Sequence, residues 1–229
     1  MPHQMIPSVE KRMSAWIDIQ KKRKEQEMAG EKPRTTITIS RQFGCEGYPL
    51  VAALQSRLEQ KTGQKWTIFD NQFVDKLLAD EDKSYHLPES FGDRAKYLDY
   101  LISTLMPTWK SDTEAFRPMV EAVHRIAQHG NAIILERGAF AVTKNLPNCF
   151  HFRLIAPMSY RVDSYSKRAG LSSKEAEEEV TEKEKDRTRF LSDFLNCSFD
   201  QESFHIIYNN AKLPIERIAD SILHFLDID

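Results

Sequence analysis

Thr35-Thr-Ile-Thr-Ile-Ser40-Arg-Gln-Phe-Gly44-Cys-Glu-Gly47-Tyr-Pro-Leu-Val-Ala-Ala-Leu54 says more about this chain than any other stretch. Its β-branched start reads as a buried strand. A short turn with Gly44 and Gly47 follows, and then Leu50, Val51, Leu54 and Leu58 take up helical spacing. Strand, glycine turn and helix together frame a phosphate cradle. Glycines let backbone N–H groups approach an anion, and a helix N-terminus adds partial positive charge. The same glycines also suit a plain strand-to-helix turn, and the sequence leaves both readings open.

Downstream, the helix runs to about Lys61 and Gly63 ends it. Residues 65–69 read as a second strand closed by Asp70, and a helix starts near Asn71. After a polar break at 80–85, apolar periodicity predicts helices over 88–105 and 112–129. Residues 132–135, 149–155 and 204–209 complete the strands. Strands alternating with helices, several of them continuously apolar, predict an α/β fold. Its five-stranded parallel sheet is covered by helices on both faces. Ligands of such sheets sit at the carboxyl ends of the strands. Those ends carry Ser40-Arg41, Asp70, Glu136-Arg137 and Asn209-Asn210. Asp70 is open to two readings, a cap for the helix after it or a ligand contact.

Residues 171–196 open with a capping box, Ser172 with Glu175, and a hydrophobic staple, Leu171 with Ala176. A densely charged helix from 177 to 189 follows, either a solvated face or a cover over a charged ligand. Arg161, Arg168, Arg187 and Arg189 surround it, and arginine forks suit phosphate oxygens.

Residues 8–28 read as a helix with Val9, Met13, Trp16, Ile17 and Gln20 on one face and Lys21-Lys-Arg-Lys24 as its basic end, which suits a solvated helix terminus more than an address or an anion patch. Trp16 is expected to pack this extension onto the main domain. The stripe is also a candidate homodimer surface.

Composition bounds the rest. In 229 residues, 41% are apolar and 29% charged, which suits one ordinary globular domain. A net charge of −2 gives no footprint for general nucleic-acid or membrane binding. Three scattered cysteines, Cys45, Cys149 and Cys197, form neither a disulfide framework nor a CxxC pair, and a reducing cytoplasm is the expected location. The N-terminus has no signal-peptide pattern, and no apolar run is long enough to span a bilayer. The histidines lack metal spacing, so no metal site is expected. Cys45 is read as an exposed bystander and His151, between two phenylalanines, as a packing residue.

Four stretches in order resemble the cytidylate kinase-like family, relatives of the nucleoside monophosphate kinases within the P-loop fold. They are Ile37-Thr-Ile-Ser-Arg-Gln-Phe-Gly44-Cys-Glu-Gly47, Phe69-Asp70, Gly130-Asn-Ala-Ile-Ile-Leu-Glu-Arg137-Gly-Ala139, and Lys185-Asp186-Arg-Thr-Arg189-Phe. The resemblance runs from about Thr36 to the C-terminus. It implies a three-layer P-loop NTPase fold over 35–229, with a helical acceptor subdomain at 80–129 and a lid at 157–196. Residues 1–34 are then a helical extension. It also implies phosphoryl transfer from ATP with Mg²⁺ to a pyrimidine monophosphate such as CMP. Carried over, Gly44, Cys45, Glu46, Gly47 and Tyr48 would wrap the donor phosphates. Asp70 and Arg137 would hold the acceptor nucleotide, Arg137 resembling the arginine of a Gly-Arg-Asp turn in which Gly138 here replaces the aspartate. Arg161, Arg168, Asp186, Arg187 and Arg189 resemble the closing lid. Arg41, Arg137, Arg187 and Arg189 are the implied catalytic set, because phosphoryl transfer depends on positioning and charge neutralisation.

The turn departs from GxxxxGK[ST], in which lysine reaches the β/γ-phosphates and the hydroxyl binds Mg²⁺. Tyr48 stands in the lysine position, Pro49 and Leu50 follow, and Glu46 places an anion inside the cradle. Loss of one charge-stabilising donor costs about 3–4 kcal/mol in an active site. Arg41 is the natural substitute, provided its side chain folds across the turn. Two functions therefore stand open. One is a nucleoside monophosphate kinase-like phosphotransferase. The other is a member that binds a nucleotide or a protein partner without turnover.

Overall fold

A computed structural model describes residues 6–26, 34–79, 117–195 and 198–228. The helices expected over 88–105 and the start of the one over 112–129 lie outside the described residues. Five strands form one sheet in the order β2-β3-β1-β4-β5: β1 Thr36–Arg41, β2 Thr67–Phe69, β3 Ala132–Leu135, β4 Cys149–Ile155 and β5 Ile206–Asn209. Every pairing is parallel, as the apolar strands require. The described helices are α1 Val9–Gln26, α2 Gly47–Thr62, α3 Asn71–Ala79, α4 Arg117–His129, α5 Ala139–Val142, α6 Met158–Ala169, α7 Ser173–Leu195 and α8 Ile215–Phe225. With helices on both faces and the glycine turn leading from β1 into α2, this is the three-layer P-loop NTPase fold.

Side-chain alternation in the central strand sorts the layers. Ile37 and Ile39 of β1 join Ile133 and Leu135 of β3, Phe152 and Leu154 of β4, and the buried faces of α2 and α8. Leu50, Val51, Leu54 and Leu58 of α2 are all fully buried there, at about 1.5–3 kcal/mol each. The opposite face packs α1, α3, α4 and α5 against Phe69, Ala132 and Ile134. On that side β1 shows small polar residues, and they are satisfied: Thr36 Oγ1 donates to Ala127 O at 2.9 Å, and Thr38 Oγ1 lies 2.8 Å from His151 Nδ1. His151 is the packing residue that the sequence predicts.

Two strands are shorter than expected. Residues 65–66 are tied to α2 instead of the sheet, since Trp66 N–H donates to Glu59 Oε1 and Trp66 O accepts from Gln55 Nε2. Residues 204–205 follow a 3₁₀ turn at Gln201–Ser203, and Phe204 N–H donates back to Gln201 O. Pro49 sits in the first turn of α2, where a missing N–H costs little, and Gly63 in the left-handed region ends that helix as expected. Cys45, expected to be exposed, is fully buried with Leu50 and Leu54, and burial pushes its thiol up to about 11. The turn bends inward at this residue, which makes its side chain part of the core.

The N-terminal extension packs as Trp16 predicts. Trp16 meets Phe69 and Phe73 edge-on, with ring centroids 6.0 and 6.1 Å apart. Met13 is buried beside it. Met13 and Trp16 of the stripe are thus covered within the chain, with Val9 packed against them.

Candidate functional site

The carboxyl ends of β1 and β3 lie side by side, and α7 crosses above them. Between them is a cavity of about 290 Å³. Its polar lining brings together Ser40, Arg41, Glu136, Arg137, Lys183, Asp186 and Arg187, and Phe43, Phe140, Phe190 and Phe199 supply aromatic walls. Four cationic side chains against two carboxylates leave an excess of positive charge.

The turn after β3 sets this geometry. Glu136, Arg137 and Gly138 have φ of 75°, 57° and 62°, three left-handed residues in succession. Two of them carry side chains, at about 1–2 kcal/mol each. Glu136 N–H donates to Ile39 O and Glu136 O accepts from Ala139 N–H, which pins the turn to β1 and starts α5. The Glu136 carboxylate pairs with Arg41 Nε at 3.0 Å and with Arg187. Arg187 Nη1 also donates to Arg41 O at 2.5 Å. Burial pushes the Arg187 guanidinium down, opposed by Glu136. Arg137 pairs with Asp75 and donates to Asn71 O at 3.1 Å, while its buried Nε has no hydrogen-bond partner.

Arg41 meets the condition set for it as a lysine substitute. Its side chain lies across the turn, with Nη1 donating to Cys45 O at 2.7 Å and its guanidinium 5.7 Å from the Tyr48 ring centroid. A Cβ on Gly47 would stand 2.7 Å from Arg41 Cδ, so glycine is required for that path.

Four amides of the cradle are already engaged. Phe43 N–H donates to Glu184 Oε2 at 2.7 Å, Cys45 N–H to Gln42 O, Glu46 N–H to Asn210 Oδ1 at 2.8 Å, and Gly47 N–H to Cys45 O. The Glu46 carboxylate turns away from the bend and accepts from Tyr160 Oη at 3.0 Å. Tyr48 Oη donates to Asp70 Oδ2 at 3.3 Å. These engaged amides, with no lysine and no Ser/Thr hydroxyl in the motif positions, do not fit a Mg²⁺-bound triphosphate. Among the described residues no cluster of three His, Cys, Asp or Glu is placed to hold a metal ion.

The other expected site residues divide. Arg161 and Arg168 clamp α6 onto the turn, donating to Phe43 O at 3.2 Å and to Gly44 O at 2.6 Å. Gly44 allows this approach, since a Cβ there would stand 2.6 Å from Arg161 O. Asp186 and Arg187 face the cavity, whereas Arg189 is exposed on another face of α7, beside Lys185 and Met158. Asp70 is 1% exposed, caps α3 through Phe73 N–H at 3.0 Å and pairs with Arg12 at 3.1 Å. The helix-cap reading of Asp70 holds, and it does not line the cavity.

Three residues were not singled out from the sequence. Glu136 is read from the sequence as part of the strand-end rim without a role of its own, and Lys183 lies unnamed within the densely charged helix. Arg153 is 7% exposed, with its guanidinium 3.6 Å from the Phe199 ring centroid and a buried Nη1 without a partner. Burial pushes Arg153 down to about 10. Its signal was available, as a charged residue inside the apolar run of β4 and in register with Ser40.

The sequence model of the cytidylate kinase-like family matches residues 36–212. No curated protein matches the sequence. Among solved structures, an uncharacterized protein from Eubacterium ventriosum is 17% identical with a TM-score of 0.64, covering 85% of this chain and 98% of that one. A shikimate kinase from Bacteroides thetaiotaomicron is 11% identical with a TM-score of 0.43, covering 84% and 98%. The first of these likenesses supports the fold, and the family match spans the glycine turn, the arginine cavity and helices α6 and α7. The chain therefore belongs to the cytidylate kinase-like family, and its function is of the nucleotide kinase-like class.

Proposed function

We propose that the protein binds a nucleoside monophosphate, of the pyrimidine class that the family implies such as CMP, in the arginine cavity, and does so without phosphoryl transfer from ATP. One observation carries this reading. The cationic cavity at the ends of β1 and β3 is open, while the glycine turn has its amides engaged by Glu184, Gln42, Asn210 and Cys45. Arg41, Arg137 and Arg187 surround space for a phosphate, and the phenylalanines offer flat apolar walls to a base. Lys183 and Asp186 approach from α7, so a ligand would be covered by the lid hairpin.

Phosphotransfer from ATP is the second reading, and the path of Arg41 favours it. Its guanidinium already lies across the turn from which the lysine is missing. One experiment separates the two readings. Purified protein is incubated with Mg-ATP and CMP, dCMP, UMP or AMP, and the same nucleotides are tested for a thermal shift. A CMP-dependent rise in melting temperature that is lost in Arg137→Ala, with no diphosphate formed above that variant's rate, is the expected result. A clear turnover number overturns it.

A further inference from the structure

The cavity carries its own anion. Glu136 occupies two arginines at once, Arg41 Nε at 3.0 Å and Arg187 on the other carboxylate oxygen. All three side chains are largely buried, at 12%, 16% and 18% exposure for Arg41, Glu136 and Arg187. The backbone that holds the glutamate there is strained, with φ of 75°. That conformation suits glycine, and a charged side chain kept in it points to a role for the charge. Beside the pair, the buried Nε of Arg137 lacks a hydrogen-bond partner.

We infer that Glu136 sets the charge threshold of the site, so that the cavity accepts dianionic phosphomonoesters and rejects monoanions. This rests on the reading of the cavity as a nucleotide site. A ligand that takes Arg41 and Arg187 must displace a carboxylate already bonded to both. A monoanion exchanges one single charge for another and leaves Glu136 without its partners, so it gains little. A phosphomonoester dianion brings a second charge and three acceptor oxygens, enough to engage Arg41, Arg187 and the free Nε of Arg137 together. Specificity of this kind comes from a repulsive element inside the site as much as from attraction.

The test compares CMP with 3′,5′-cyclic CMP by calorimetric titration at pH 8. Both carry the phosphate on the 5′-oxygen of the same base and sugar, and the cyclic diester holds one negative charge where CMP at this pH holds two. Wild-type protein, Glu136→Gln and Glu136→Gly are titrated with each. The glycine variant suits the left-handed backbone, and circular dichroism melting shows that each variant is folded. The expected result is tight CMP binding and weak cyclic CMP binding to wild type. In both variants cyclic CMP should bind about 10-fold tighter, narrowing the ratio between the ligands. Equal discrimination in all three proteins overturns this inference alone. Failure of CMP to bind any of them overturns the nucleotide reading and this inference with it.

Discussion

Arg12 of the N-terminal helix closes a buried ion pair with Asp70 at the end of β2, Nη1 to Oδ1 at 3.1 Å, with the two side chains 3% and 1% exposed. Arg12 also donates to Ile68 O at 2.6 Å and to Pro7 O at 2.9 Å, so one guanidinium ties the extension to the edge strand of the sheet. Asp70 in turn accepts from Tyr48, which stands where a P-loop lysine would be. Arg12→Met leaves a buried carboxylate without its cation and should cost about 3–5 kcal/mol. Urea unfolding measures it. A loss below about 1 kcal/mol would show that the extension is only loosely applied.

Gly44 and Gly63 make a matched pair. Both have positive φ, 98° and 64°, but a Cβ on Gly44 would overlap Arg161 and one on Gly63 meets nothing within 4 Å. Gly63→Ala should cost about 1 kcal/mol from backbone strain alone. Gly44→Ala should cost more than about 2 kcal/mol and loosen α6 from the turn. Limited proteolysis within residues 158–192 reports the second effect, and equal costs at the two positions would contradict it.

Burial, and then His205 beside it, push the His151 imidazole down to about 4 from its ordinary 6.5. The folded state therefore holds the neutral ring. The stability it contributes is complete above pH 6.5 and is lost as pH falls towards 4. Its size is on the order of 2–3 kcal/mol. Unfolding free energies at pH 7.5 and pH 4.5 should fall more steeply for wild type than for His151→Gln. Parallel slopes would show that another group controls the acid limb.

Burial pushes the Cys45 and Cys149 thiols up, to about 11 and about 12. Both should resist iodoacetamide at pH 8 in the native protein and react at the rate of free thiols in urea. Site-resolved mass spectrometry distinguishes the two states. Native-state labelling of Cys45 would mean that the turn opens readily.

Much of the fold is legible in the sequence because it rests on local patterns. The β-branched run of β1, the spacing of Leu50, Leu54 and Leu58, and the Ser172–Glu175 capping box each appear as read, the last with Ser172 N–H donating to Glu175 Oε2 at 2.9 Å. The rim of strand ends was legible for the same reason, and it brings Arg41, Glu136 and Arg137 to one cavity. What was not legible depends on directions and distant partners. Arg187 and Arg189 lie two positions apart on one helix and so face different ways, a distinction that composition does not carry. The partner of Glu46 N–H is Asn210, far along the chain, and the partner of Asp70 is Arg12 in the extension outside the family match. The inward bend that buries Cys45 likewise follows from the closed turn and not from its neighbours in sequence.

A crystal structure of the protein grown with CMP tests the nucleotide reading most directly. Phosphate density bonded to Arg41, Arg137 and Arg187, with the amides of Phe43, Cys45, Glu46 and Gly47 still held by their own chain, is the result expected. Phosphate density seated instead on the amides of the Gly44–Gly47 turn would contradict it.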